Sequence, residues 1–435
     1  MTQMISLFTS LRHREYRLFW SGQCISLIGT WMQNVAQDWL VLQLTNSSFK
    51  LGLLVAAKFT PMAFLPLLAG VTVEHHPKRN ILLLTQSGLM LQAVVLTLLT
   101  WFKVVRYEHV LLMMLLWGII NSFDMTTRQA YVIELAGRED VKNAIALNSA
   151  VLNLARLLGP ALAGLTMMRF GAAVCFGLNA LSFLAVLVGL LMIPPGKVEK
   201  KKTSPAVGRE IREGLAYVYR EAALREPLLL LALLSLFAEN FSVLIPTFAK
   251  FTLAGNARVL GYLWSALGLG ALFAALALAA TSGRPPARRS LLAIGLGLCM
   301  SEFFVATVRS LPLAVAGLCL GGFAMTGFNA LVNTSLQLAT EDRYRGRVMS
   351  LYSLILAGLT PLGSIFTGSV AHLLGPPGAF VAGATIGLMG IGLLAALQTR
   401  EKTRPPWNGH SSASDRKDEL FFPEETAGTT GVPRP

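Results

Sequence analysis

Six ionisable residues lie inside or at the edge of stretches of chain that are otherwise almost pure hydrocarbon: Asp38, Lys58, Asp124, Arg128, Arg156 and Glu239; a seventh, Glu302, lies about two turns from the outer end of another such stretch. Asp38 ends a stripe made with Thr30, Asn34 and Gln37, at helical spacings of four, seven and eight. Asn121, Asp124 and Arg128 follow at spacings of three and seven, and Ser149, Asn153 and Arg156 at four and seven. Each set falls on one face of an α-helix. Ser235, Glu239 and Ser242 repeat the pattern, with Asn240 beside them. Charge is costly in a bilayer, so such residues mark a water-accessible cavity or a conduction path. Two uses of Asp38 are consistent with its place near the end of its run. It is a carboxylate hydrated from outside, or a cavity group that takes up and releases a proton. Lys58 either snorkels outward along its stem or meets an acid or an anionic substrate. Arg156 should have at least one acidic neighbour, because a buried charge does not stay single; Asp124 and Glu239 are the two within reach by residue counting.

The elements that must hold these residues are long apolar runs. Of the 435 residues, 54% are hydrophobic and 14% charged, too little charge to cover a soluble protein of this length. Runs of the length needed to cross ~30 Å of hydrocarbon recur along the chain. They occupy 18–43, 50–73, 80–102, 108–127, 144–168, 172–193, 227–249, 257–281, 289–308, 311–335, 349–372 and 378–398. The expected fold is therefore all-α, a polytopic membrane protein of twelve transmembrane helices. Internal register divides it in two. Leu51-Gly52 recurs as Leu260-Gly261 and Arg79 as Arg288 at the same offset, Asn121, Asp124 and Arg128 align with Thr326, Asn329 and Asn333, and Pro160 aligns with Pro361. Two pseudo-symmetric six-helix bundles follow, over 18–193 and 227–399. An amino-terminal segment 1–17, a basic linker 194–226 with an amphipathic stretch, and a polar tail 400–435 complete the chain.

The formal net charge of +14 does not point to nucleic acid, because its placement is that of a membrane protein. The loops on one side hold Lys50, Lys103, Arg106, Arg169, Lys250, Arg258 and Arg309, while the opposite loops and the linker carry most of the other basic residues. The positive-inside rule then puts both termini in the cytoplasm and the protein in the cytoplasmic (inner) membrane. The basic linker is expected to lie against anionic lipid headgroups. The four cysteines have no ligand spacing, the histidines (His13, His75, His76, His109, His372, His410) are scattered, and no zinc-protease or phosphate-loop motif occurs. No metal, cofactor or enzymatic activity is expected, and a monomer is.

The turn between the second and third runs reads Gly70, Glu74, His75, His76, Pro77, Lys78, Arg79. It resembles the signature loop of the major facilitator superfamily, with Glu74 where aspartate is usual and His75 in place of an arginine. The stretches Phe123–Ala130, Asn143–Ser149 and Asn153–Gly164 resemble the subfamily that includes enterobactin-type siderophore exporters. Gly159-Pro160 with Gly164 is similar to part of the antiporter motif on the fifth helix. The resemblance implies a secondary transporter that exports a small, siderophore- or drug-like molecule by alternating access, in exchange for protons. Asp38, Asp124 and Glu239 are then the proton-coupling candidates. Asn34, Gln37, Asn121, Arg128, Asn153, Arg156, Asn240, Asn329 and Asn333 are the candidates for the cavity wall, and Gly70, Glu74, Lys78 and Arg79 for the gating loop. A lipid or lysolipid flippase and a small-solute importer use the same fold and are the alternatives.

Overall fold

A computed structural model describes residues 9–194, 215–280 and 286–400, all helix, turn or short connection. Much of the expected linker and the whole tail beyond 400 lie outside the described residues, as do residues 1–8. A 3₁₀ turn over Thr9–Arg12 leads into α1 (Arg14–Thr45), α2 (Ser48–Phe64), α3 (Pro66–His75), α4 (Lys78–Trp101), α5 (Tyr107–Phe170) and α6 (Ala172–Leu191). After the linker come α7 (Ala222–Phe237), α8 (Phe241–Thr247), a π-helical turn Phe248–Thr252, α9 (Ala257–Ala280), α10 (Arg288–Thr307), α11 (Leu311–Ala339) and α12 (Asp342–Arg400).

These labels follow the continuous backbone and do not count crossings. Nine helices among the described residues are long and apolar enough to span a bilayer, or ten if the bent pair α2–α3 is one span. That count differs from the twelve expected runs for local reasons. The amides, carboxylates and basic residues of α1 lower its hydropathy, and it is not among the nine. In α5 the chain breaks at Gly137, whose φ of 72° is a left-handed conformation open to glycine, giving separate spans Tyr107–Gly137 and Glu139–Phe170. A second such break, at Gly375 (φ 74°), divides α12, which is counted once over the 55 residues Asp342–Ala396. At ~1.5 Å per residue that stretch is far longer than one crossing needs.

Two further runs are interrupted in the middle. Pro66 brings no amide hydrogen, and the axis turns by 55° between α2 and α3. The run around Glu239 also breaks. The amides of Ala238 and Glu239 both donate to Leu234 O, at 2.8 and 2.9 Å, and the helix restarts from Asn240.

Large apolar side chains cover the outside, among them Leu84, Leu181, Leu276 and Met389. In water such a surface would aggregate; facing lipid tails it costs nothing. Inside, one apolar cluster draws on helices from both sequence halves. A second, around Tyr16, Phe19, Leu82 and Tyr131, belongs to the first half alone. Contacts between the halves gather at one end of the molecule. A Cβ on Gly261 would lie 2.7 Å from Pro160 O and 3.2 Å from Gly164 Cα, and a Cβ on Gly368 3.0 Å from Gly52 Cα. Small residues here let α9 meet α5 and α12 meet α2 backbone to backbone. At the same end Lys250 Nζ donates to Leu42 O (2.5 Å) and Asn46 Oδ1 (2.6 Å). Those acceptors sit at the carboxyl end of α1, where the helix dipole favours a cation.

At the other end each half is tied to itself. Lys78 pairs with Glu134 (2.8 Å), His13 meets Asp140 (3.0 Å), Arg79 donates to Leu190 O (2.7 Å), and Arg288 pairs with Glu226 (2.7 Å). Tyr217 stacks on Tyr344 with ring centres 4.2 Å apart. Each of these ion pairs and hydrogen bonds runs within one half.

Gly261→Leu should force the α5–α9 crossing apart and lower the unfolding temperature of the purified protein, a loss of about 1–3 kcal/mol expected of overpacking. Gly297→Ala, where an added Cβ meets nothing within 4 Å, should leave it unchanged. Equal melting temperatures for the two variants would show that the crossing is not tightly packed.

Candidate functional site

The polar stripes of α1 and α5 and the break after α7 face a common cavity of about 520 Å³. Asp38, Asp124 and Glu239 all line it, as do Lys58, Arg128 and Arg156, so all six ionisable residues share one space. Asn34 and Asn121 add amides, Met114, Met125 and Met325 add thioethers, and Trp31, Trp117 and Trp264 add indoles. The wall is drawn from both sequence halves.

Each acid is held differently. The Asp124 carboxylate, 1% exposed, accepts from Thr85 Oγ1 (2.8 Å), from Gln86 Nε2 (2.6 Å) and from the guanidinium of Arg128, one helical turn further on. Arg128 also donates to Gln23 Oε1 on α1. In this network the Asp124 charge is matched by a cation, while Gln23 Nε2, Gln86 Oε1 and Arg128 Nε have no partner among the described residues. Asp38, 8% exposed, lies one turn beyond Asn34, whose Oδ1 accepts from Lys58 Nζ at 3.0 Å. Lys58 is close enough to Asp38 for their charges to act on each other, and its ammonium sits 4.6 Å from the centre of the Trp117 ring. Lys58 therefore turns inward to an acid and an indole instead of snorkelling to the surface. Glu239 lies in the interrupted stretch between α7 and α8, and both its oxygens accept from Asn329 Nδ2 at 3.2 Å.

Arg156 departs from its expected surroundings. Asp124 is taken by Arg128, Glu239 by Asn329, and among the described residues Arg156 has no ion pair. Its guanidinium lies over the Trp31 ring, 5.3 Å from the centre, and Trp31 meets Trp264 edge-on at 6.3 Å. The expectation failed because it counted only carboxylates as partners for the cation. A cation at the wall of a cavity, laid on an indole, does not need a carboxylate to be tolerated.

Several candidates for the wall fall behind it. Gln37, fully buried, is about 100° round the helix from Asp38, and neither its amide oxygen nor its nitrogen has a partner among the described residues. Asn153 is similarly displaced from the lining sequence Asn148, Leu152, Arg156, which advances by fours. Asn240 donates to Leu236 O (2.9 Å), and Asn333 accepts from Gln337 at 2.5 Å. Asn329 supports Glu239 from behind. None of the five is on the cavity wall. Glu302 is a further difference: read from its run it is two turns from the outside, yet it is 1% exposed and its carboxyl oxygens have no partner among the described residues.

Gln23, Thr85, Gln86 and the three tryptophans were not among the sequence candidates. The adjacent Thr85-Gln86 within an apolar run carried a usable signal; Gln23, seven residues before Thr30, continued the α1 stripe by two turns. In the expected gating loop, Lys78 and Arg79 make the ties given above, Glu74 is exposed, and Gly70 has open space beside it. Among the described residues no group of three or more metal-binding side chains occurs.

Residues 5–423 match the profile of the transmembrane secretion effector family. The chain belongs to that family. Among its relatives, the multidrug efflux pump Tap of Mycolicibacterium fortuitum is 27% identical, the match covering 84% of this chain and 91% of the pump. The staphyloferrin A transporter of Staphylococcus aureus is 22% identical over 82% of this chain and 90% of the transporter. The enterobactin exporter EntS of Escherichia coli is 24% identical over 92% and 95%. In three dimensions the chain resembles a bacterial homologue of the lysosomal transporter Spinster, in its inward-facing unoccupied form. The TM-score is 0.71 at 14% identity, over 91% of this chain and 99% of that one. The nucleoside transporter NupG gives the same TM-score at 13% identity, over 90% and 99%. The fold is that of the major facilitator transporters, and this chain is a multi-pass membrane transporter of small molecules, in a family of transporters rather than enzymes.

Arg128→Ala would leave the Asp124 carboxylate buried without its cation. The expected cost is about 3–5 kcal/mol, read as a fall in unfolding temperature or in yield of folded protein. Adding Asp124→Asn to Arg128→Ala should recover much of that loss; a double variant no more stable than the single one would argue against the pairing.

Proposed function

We propose that this transporter exports a small molecule across the cytoplasmic membrane by alternating access, in exchange for protons. Both termini are then cytoplasmic, the two six-helix bundles over 18–193 and 227–399 rock against each other, and one chain suffices. The observation that carries this reading is the convergence of Asp38, Asp124 and Glu239 on one cavity walled by both halves. Ties between the halves at one end and ion pairs within each half at the other suit a molecule that opens its ends in turn. Relatives named as exporters and efflux pumps favour outward flux over import or lipid flipping.

Within this reading the acids divide by their surroundings. Asp124 is matched by Arg128 and serves as a fixed strut. Asp38, beside Lys58, and Glu239, held by an amide in a broken helix, are the two that exchange protons. Broken helices near the membrane midplane recur in transporters because they free backbone groups for ligands and let the two parts move separately. Lys78, through Glu134, and Arg79, through the Leu190 carbonyl, tie the cytoplasmic ends of helices within the first half to one another.

The test is transport in proteoliposomes under an imposed pH gradient, with cargo selected by thermal-shift screening of siderophore- and drug-like compounds. Asp38→Asn and Glu239→Gln should each reduce gradient-driven flux by about tenfold or more, the scale of losing one positioned proton-transfer group. Cargo–cargo exchange without a gradient should survive. Full gradient-driven flux in both variants would remove these residues from proton coupling, and flux insensitive to the gradient would remove proton exchange itself.

A further inference from the structure

We infer that the cargo is an organic anion bearing an aromatic ring, its planar oxyanion on Arg156 and its ring against Trp31 and Trp264. The inference rests on the transport reading above and gives that cavity a substrate class.

Asp124 has Arg128, Thr85 and Gln86. Asp38 has Lys58 within electrostatic reach, positioned through Asn34. Glu239 has the amide of Asn329 and stands in the broken stretch after α7. Arg156 is left. Among the described residues it has no ion pair, and Glu239, on the same cavity, is held by Asn329 instead. Nor does any side chain or carbonyl among the described residues accept from its guanidinium. A cation held by an indole alone on the wall of a membrane cavity is free to pair with an incoming anion.

The geometry narrows which anion. The guanidinium carbon lies 5.3 Å from the centre of the Trp31 ring and its N–H donors have no acceptor among the described residues, which leaves the planar fork free to grip a carboxylate or similar oxyanion through two parallel hydrogen bonds. Trp264 stands edge-on to Trp31 and lines the same cavity. A ring joined directly to the oxyanion would lie against these indoles and exclude water from the ion pair. A cationic cargo finds the opposite conditions, because it would meet the guanidinium.

Calorimetric titration of the full chain in nanodiscs at neutral pH separates these cases. The probes share a shape: 2-naphthoate, neutral 2-naphthylmethanol, 2-naphthylmethylammonium, and the non-aromatic cyclohexanecarboxylate. 2-Naphthoate should bind at least about tenfold more tightly than the alcohol or the ammonium, as one charge-assisted pair allows. Arg156→Gln should erase that preference and Arg156→Lys, which keeps the charge but not the fork, should keep only part of it. Trp31→Leu should narrow the advantage of naphthoate over cyclohexanecarboxylate severalfold. Equal or tighter binding of the ammonium or the alcohol overturns the inference, as does an Arg156→Gln protein that still prefers naphthoate. If Arg156→Gln does not fold, undiminished preference in Arg156→Lys together with no effect of Trp31→Leu overturns it as well. Binding of naphthoate without any flux in proteoliposomes would defeat the transport reading and leave anion recognition standing. Proton-driven flux of the ammonium probe with no anion preference would do the reverse.

Discussion

A charge inside a membrane protein must find either a partner or water, and the interior of this protein is arranged around that requirement. Six ionisable side chains line one cavity, and they are accommodated in different ways. Asp124 and Arg128 pair along one helix and are sealed by Thr85, Gln86 and Gln23 from two others. Lys58 shares Asn34 and an indole. Arg156 uses an indole and the cavity itself. The cavity is thus a consequence of the charges as much as a container for them. Filling it with hydrocarbon side chains would strand Arg156 and Glu239 without either remedy.

Much of this was legible in the sequence, because helical periodicity is a property of the chain alone. The spacings of Asn34 and Asp38, of Asn121, Asp124 and Arg128, and of Arg156 fixed which side chains share a face, and those faces meet in the structure. Length and hydropathy gave the all-helical membrane fold, and the turn at Gly70–Arg79 gave the superfamily. Partner choice was not legible. Nothing in spacing says that Arg128 reaches Asp124 before Arg156 can, or that Asn329 stands behind Glu239, since those depend on how helices rotate against one another. The same limit displaced Asn153 and Gln37: a stripe read from spacing is about 100° wide or more, and the edge of a cavity cuts through it.

Helix breaks were the other feature hidden from a hydropathy reading, and each has its own cause. Pro66 and the glycines at 137 and 375 break the chain by covalent geometry, and two of these lay at expected turns. The break before Asn240 has no proline or glycine at it. Its apolar run is continuous, so composition registers one span, yet two amides compete for Leu234 O and the helix starts again. Such an interruption is held by its surroundings: Glu239 is fixed by Asn329 on α11, and a Cβ on Gly363 would lie 2.7 Å from the Asn240 side chain.

The two ends of the molecule use different chemistry, and the difference bears on how it can move. At the end where the halves meet, the crossings depend on glycine against backbone, at Gly52 with Gly368 and Gly164 with Gly261, and on Lys250 capping α1. Close backbone packing is short-ranged: a separation of an ångström forfeits much of it, so these crossings are either made or broken. At the opposite end the ion pairs Lys78–Glu134 and Arg288–Glu226 lie inside each half, so parting the halves there breaks none of them. Under the proposed alternating access, each half would stay intact while the junction between them changes. That is the division of labour a rocking motion needs, since strain at the seam must not be relieved by deforming the walls of the cavity.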